Sequence, residues 1–184
     1  MFDYLKTQKL KFLFKAGFTV FILLFVGLSV LNFTGCCAYS FTGASVPPHL
    51  KTIAIPIAED RSGSGEPGLR ELFTEKLTRF FLDDNSLEVA ERTNADAIVE
   101  CSIVSLTSGP AVITGGETVS SLRITISVKA VYKDLVQRKT VFDKNFSNYG
   151  DYAASGTFDD RRAAIELALD RIAEDILLET VSGW

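Results

Sequence analysis

From Leu122 to Tyr132 every second residue is apolar: Leu122, Ile124, Ile126, Val128, Ala130 and Tyr132 alternate with Arg123, Thr125, Ser127, Lys129 and Val131. Successive side chains of a β-strand point to opposite faces, so this period of two buries one face and leaves the other mostly polar. The pattern predicts an antiparallel sheet covered on a single side. Whatever folds around this strand must supply that one cover.

Two segments have the spacing to do so. Glu59 to Glu66 is a turn-forming run, Pro67 suits a first helical position, and Leu69, Leu72, Phe73, Leu77, Phe80 and Phe81 follow at helical intervals. The spacing predicts an amphipathic helix over Pro67–Leu82. Near the C-terminus, Thr157 and Asp160 make a capping box, after which Ile165, Ala168, Leu169, Ile172 and Ile176 form the inner stripe of a helix reaching Thr180.

The remaining strands are shorter signals. Lys51–Ile57 is Ile-rich, with Pro56 near its end as an edge or terminus marker. Leu87–Val89 reads as a short strand or as an extended approach to a longer strand over Ala97–Leu106. Asp134–Lys139 is a polar turn, and Thr140–Ser147 returns as a strand. Between Gly109 and Ser121 lies a polar, glycine-bearing connector, longer than the two to five residues of most hairpin loops. It is expected to be a partner-reaching element or a mobile tip. The order is β-α-β-β-β-α, in which the first βα unit implies a right-handed crossover. The fold class is therefore α+β, a two-layer sandwich with a mixed four-stranded sheet covered on one face by two helices.

The N-terminus is organised by different physics. Lys6, Lys9, Lys11 and Lys15 precede an uncharged run from Ala16 to Leu31, and Phe33-Thr34-Gly35-Cys36 then sets small residues before a cysteine. Basic, apolar and small-residue zones in that order form a secretory signal. Thr34-Gly35-Cys36 resembles the end of a bacterial lipobox, with Phe33 in place of the usual Leu, which makes Cys36 the expected lipidation site. Cys37 is the alternative acceptor. The alternative to cleavage is a transmembrane helix, for which the apolar run is short of the roughly 20 residues a span needs. The expected division is residues 1–35 as lipoprotein signal peptide, 36–50 as lipidated tether and 51–184 as one α+β domain. Several acyl chains on one cysteine give stable anchoring, each buried methylene contributing about 0.8 kcal/mol.

Removing the signal takes four lysines and one aspartate from the chain and leaves 149 residues with 15 basic and 22 acidic side chains, a net charge of −7. So acidic a body lacks the basic footprint of a nucleic-acid binder. A catalytic reading finds little to build on. The single histidine, His49, lies in the Pro-rich tether and is expected to be an exposed polar residue there. No Gly-x-Ser-x-Gly elbow and no phosphate-cradling loop with its lysine occurs. Asp83-Asp84 and Asp159-Asp160 flank helix ends, where acids serve as caps. The chain is therefore expected not to be an enzyme and to need no metal or cofactor. Binding surfaces remain: the aromatic run Phe146, Tyr149, Tyr152 and Phe158, expected to lie in a loop folding back on the helix, and the basic residues Arg61, Arg123, Lys129, Arg161 and Arg162.

With these residues in view, the chain resembles the lipopolysaccharide-assembly lipoprotein (LptE) family in its Bacteroidetes-type form. The resemblance rests on Tyr39-Ser40-Phe41-Thr42-Gly43-Ala44, Val46-Pro47-Pro48-His49 and Lys51-Thr52-Ile53-Ala54-Ile55-Pro56. It continues through Gly68-Leu69-Arg70-Glu71, Gly115-Gly116-Glu117-Thr118, Phe146-Ser147-Asn148-Tyr149-Gly150-Asp151-Tyr152 and Glu179-Thr180-Val181-Ser182-Gly183-Trp184. It implies an outer-membrane lipoprotein facing the periplasm, whose partner is the β-barrel LptD. The lipoprotein plugs that barrel, and together they insert lipopolysaccharide into the outer leaflet. The family's lipid-contacting residues do not carry over position by position. Arg123 and Lys129, on the polar face of the best strand, are the lipid-binding candidates offered by this chain itself. A rival resemblance covers Ile53-Ala54-Ile55-Pro56 and Glu59-Asp60-Arg61-Ser62-Gly63, the opening of curli-secretion-like and peptidoglycan-synthase-activating lipoproteins.

Overall fold

The computed structural model describes residues 46–114 and 118–182. The signal, Cys36, most of the tether, the Gly115–Glu117 tip and the last two residues lie outside them. In chain order the elements are β1 (Thr52–Ala54), β2 (Glu59–Asp60), α1 (Leu69–Asp84), β3 (Glu88–Val89), β4 (Ala97–Thr114), β5 (Thr118–Asp134), β6 (Lys139–Ala153) and α2 (Phe158–Ser182). One mixed sheet runs β3-β1-β4-β5-β6, with β2 paired in parallel to β4 beside Ser102 and Ile103. β1 is parallel to both of its neighbours, whereas β4, β5 and β6 form an antiparallel meander.

The α+β sandwich read from the sequence is the fold. The Leu122–Tyr132 alternation is the inner face of β5: Ile124, Ile126, Val128, Ala130 and Tyr132 are fully buried. The two helices cover that face. α1 contributes Leu69, Phe73, Leu77 and Phe81, one buried residue per turn, and α2 contributes the run from Ala164 to Leu177. Fully burying one such ring or branched chain is worth about 1.5–3 kcal/mol. α1 ends at Asn85, whose left-handed backbone (φ 56°) lets its N–H return to the Phe81 carbonyl at 3.1 Å. α2 begins with the expected capping box: Thr157 Oγ1 accepts from the Asp160 N–H at 3.3 Å, and the Asp160 carboxylate accepts from the Thr157 N–H at 2.7 Å.

The sheet has six strands in place of the four expected: β2 lies in the run read as a turn, and β3 makes Leu87–Val89 the short strand that is one of its two readings, each strand being of two residues. A larger difference concerns the connector. Gly109–Ser121 is not a loop: β4 continues to Thr114 and β5 starts at Thr118, paired up to Thr114↔Thr118. Its residues read as a connector because the glycine, proline and serine of Ser108-Gly109-Pro110 imitate a turn. β6 likewise runs on to Ala153, so Asn148-Tyr149-Gly150-Asp151 is strand rather than loop. At Gly150 the sheet and helix meet so closely that an added Cβ would lie 2.0 Å from the Ala164 carbonyl oxygen.

The segment before β1 is also part of the packed body. Leu50 is buried, Val46 packs on the core, and the Leu50 N–H closes a turn onto the Pro47 carbonyl at 2.9 Å. His49, expected to be exposed, docks instead on the fully buried Asp134, with Nε2 2.7 Å from Oδ2. Burial works against ionisation of Asp134. The Gln137 N–H and the His49 ring outweigh it and hold the carboxyl below the ordinary carboxylate range. Asp96 does similar work at the start of β1, accepting from the Lys51 N–H at 2.9 Å and the Thr52 N–H at 3.1 Å.

Candidate functional site

The face of the sheet away from the helices is open, and the pleat decides what stands on it. On β5 that set is Arg123, Thr125, Ser127, Lys129, Val131 and Lys133, the residues alternating with the buried ones. Register places Asp151, Tyr149, Ser147 and Asn145 of β6 beside the first four, and Gly109, Thr107, Ser105 and Ser102 of β4 on their other flank. The surface is built from hydroxyls and paired charges. Ser127 and Ser147 hydroxyls are hydrogen-bonded across strands at 3.0 Å.

Both lipid-binding candidates stand on this face, and each already holds a carboxylate. Arg123 grips Asp151 with two parallel bonds, Nε to Oδ1 at 2.7 Å and Nη2 to Oδ2 at 2.8 Å. Its guanidinium also lies over the Tyr149 ring, 3.7 Å from the centroid. The hydrogen bond from Arg123 holds the Asp151 carboxyl below its usual range, and the same bond raises the guanidinium above its own. Lys129 meets Asp143 at 3.1 Å. The structure does not bring Arg123 and Lys129 together: they lie six residues apart on one strand, separated by Thr125 and Ser127 on the same face.

Lys129 has different company. A pocket of about 380 Å³ opens at its side, lined by Pro56, Ile57, Arg61, Arg92 and Glu100 among others. Arg61 is ion-paired to Glu59, while Glu100 accepts from Lys133 at 2.5 Å and meets Arg92 at 3.3 Å. Arg92 had no distinguishing feature in the sequence. Its place beside Lys129 follows from the parallel β1–β4 pairing, which no local pattern encodes. Arg161 and Arg162, the other basic residues considered, are paired to Glu66 and Glu166 at the start of α2 and lie away from this pocket.

Little on this surface resembles chemistry on a substrate. The His49 ring is engaged with a carboxylate that also accepts from the Gln137 N–H at the β5–β6 turn. The Cys101 thiol is buried, and desolvation pushes its pKa up to about 12, far from the range of a nucleophile. Among the described residues no three His, Cys, Asp or Glu side chains gather as a metal site would require. No helix among the described residues is long and apolar enough to cross a membrane.

Solved structures share the architecture. A hypothetical protein of Chlamydia trachomatis superposes with a TM-score of 0.56 at 12% identity, covering 71% of this chain and 95% of its own. A protein of Xanthomonas campestris gives a TM-score of 0.56 at 15% identity over 75% of this chain and 90% of its own. The rare lipoprotein B of Shewanella oneidensis is a weaker likeness, with a TM-score of 0.44 at 14% identity over 70% and 92% of the two chains. Comparison with curated protein sequences returns no match. The model of one family, LptE, described as lipopolysaccharide-assembly, matches residues 50–180.

Proposed function

The chain belongs to the LptE family of lipopolysaccharide-assembly proteins, and from that premise we propose that it partners and plugs an LptD-type β-barrel of the outer membrane. In this reading acyl chains on Cys36 hold it at the membrane, facing the periplasm. The observation that carries the reading is the open sheet face. A domain seated in a water-filled barrel has to meet a polar lumen, and large apolar patches would be out of place there. The face of β5 and β6 offers hydroxyls, an amide and paired charges, with Tyr149 as its one exposed ring.

Lipopolysaccharide contact by Arg123 and Lys129 is part of the same proposal. Each cation is already neutralised by an aspartate. A phosphate approaching them exchanges one anionic partner for another, and the net gain comes from bidentate geometry and repeated charge. Lys129 has the more open position, beside Arg61 and Arg92 at the pocket.

Affinity capture of the tagged, lipidated protein from its own outer membrane tests the reading. Recovery of a large β-barrel in stoichiometric amount is the expected result. Recovery of a peptidoglycan synthase, or of rings made of this chain alone, overturns it.

A further inference from the structure

The chain enters the fold at the foot of the β5–β6 turn. Val46 packs on the core, and His49 Nε2 stands 2.7 Å from Asp134 Oδ2. Asp96 ties the same place twice. Its carboxylate accepts from the Lys51 and Thr52 N–H groups, and its carbonyl accepts from the Leu135 N–H at 2.8 Å. A tether leading from Cys36 therefore meets the body beside this turn. Ten residues separate Cys36 from Val46, a reach of about 33–36 Å when fully extended. From Leu135 to Thr140 six successive residues are exposed. Two of them are apolar, Leu135 at 38% exposure and Val136 at 56%, and the cations Arg138 and Lys139 follow. Arg138 holds a left-handed backbone (φ 55°), a conformation that glycine or asparagine adopts at less cost.

The acids near the turn already have partners. Asp134 is buried and accepts from His49 and the Gln137 N–H. Asp96 is engaged with Lys51 and Thr52 at the start of β1. Glu91 and Glu100 are balanced in number by Arg92 and Lys133, both of which pair with Glu100. Glu88 lies on β3, and Asp83 and Asp84 lead into that strand from α1. In the sheet order β3 stands three strand spacings from β5, about 14 Å at ordinary separation. Arg138 and Lys139 remain, and among the described residues neither has an anionic partner. We propose that the β5–β6 turn is a membrane contact: Leu135 and Val136 enter the headgroup–acyl boundary of an anionic leaflet, and Arg138 and Lys139 stay at its phosphates. Apolar side chains beside cations suit that boundary. Two apolar residues are too few to hold a membrane alone, and an anchor nearby raises the local concentration of lipid until a weak contact counts. The contact rests on the acyl anchor of the reading above and is independent of the barrel.

The test uses the full lipidated chain on vesicles of phosphatidylethanolamine and phosphatidylglycerol whose acyl chains carry bromine, a quencher of tryptophan. Val136→Trp is made in a Trp184→Phe background, so that the introduced ring is the only tryptophan. Its emission should fall about twofold against unbrominated vesicles, as for a ring set roughly 5–10 Å into the boundary. Phe158→Trp in the same background, beyond the far end of β6, should be unaffected. Adding Arg138→Glu and Lys139→Glu should abolish the quenching at position 136, and so should replacing the phosphatidylglycerol by phosphatidylcholine. Flotation of the vesicles reads the anchor separately. Co-flotation without quenching at position 136, equal quenching at positions 136 and 158, or equal quenching on neutral vesicles each overturns the proposal. A chain that does not float overturns the anchor, and this contact falls with it.

Discussion

The backbone carbonyl of Ala164 occupies the space that a side chain on Gly150 would need, 2.0 Å from where its Cβ would stand. Helix α2 lies on β6 with nothing between them at this point. The obstacle is backbone rather than the far end of a flexible chain, so relief requires moving the helix. Gly150→Ala is expected to destabilise the protein by about 2–3 kcal/mol, the cost of an overpacked interior. Urea denaturation checks this; a stability within about 0.5 kcal/mol of the parent would show that α2 shifts freely.

Phe73 and Phe158 are the same residue type in opposite circumstances: the first is fully buried under the sheet and the second is 61% exposed. Phe73→Ala should cost about 3–5 kcal/mol, and Phe158→Ala no more than about 0.5 kcal/mol. Comparable losses in thermal unfolding would contradict the placement of α1 against the core.

The pair His49 and Asp134 has a pH signature. Asp134 is depressed below its ordinary value of 3.8 in the folded state. Such a group contributes stability that is complete above its unfolded pKa and is lost as pH falls through the lower folded value. The stability difference between the parent and Asp134→Asn should therefore be flat near neutrality and shrink from about pH 4 downward. Denaturation curves from pH 7 to pH 2.5 measure it. A gap that widens on acidification has the wrong sign. His49→Ala, which leaves the buried carboxylate one donor short, is expected to cost about 1–3 kcal/mol at pH 7.

Replacing Arg123 and Lys129 together by Ala should weaken lipopolysaccharide binding, with Lys129→Ala alone having the larger effect because its site is more open. Titration with purified lipopolysaccharide at two salt concentrations is the measurement. Equal affinity of the double variant and the parent removes both residues from the proposed contact.

Cys36→Ala should leave the precursor uncleaved, or free the domain from membranes, on fractionation and acyl labelling. Normal processing and acylation of that variant would move the lipid to Cys37.

The parts of this molecule legible in its sequence are those whose cause is local. The β5 alternation reports a one-sided sheet because burial follows the pleat, and Thr157 with Asp160 reports a helix start because the cap is made within four residues. The ends of β4 and β6 were illegible because glycine, proline and asparagine there imitate turns, and the close approach of Gly150 to Ala164 shows only in the assembled fold. Long-range partners left no mark at all. His49 finds Asp134 85 positions away, and its sequence neighbours Pro47 and Pro48 suggest an idle tether. Asp151 lies 28 positions from Arg123, and their bond becomes visible only once β6 is known to reach it.

The parallel placement of β1 also bears on how the chain is assembled. β1 is the first strand among the described residues to be synthesised, yet both its partners, β3 and β4, lie downstream of α1. The meander from β4 to α2 needs only short-range closures, whereas β1 has to wait for sequence-distant neighbours, the slow kind of contact to form. Until they arrive, Ile53 and Ala54, fully covered in the finished molecule, stand bare. A strand synthesised early and expected to pair late would be the natural target of any holding factor that acts before the fold closes.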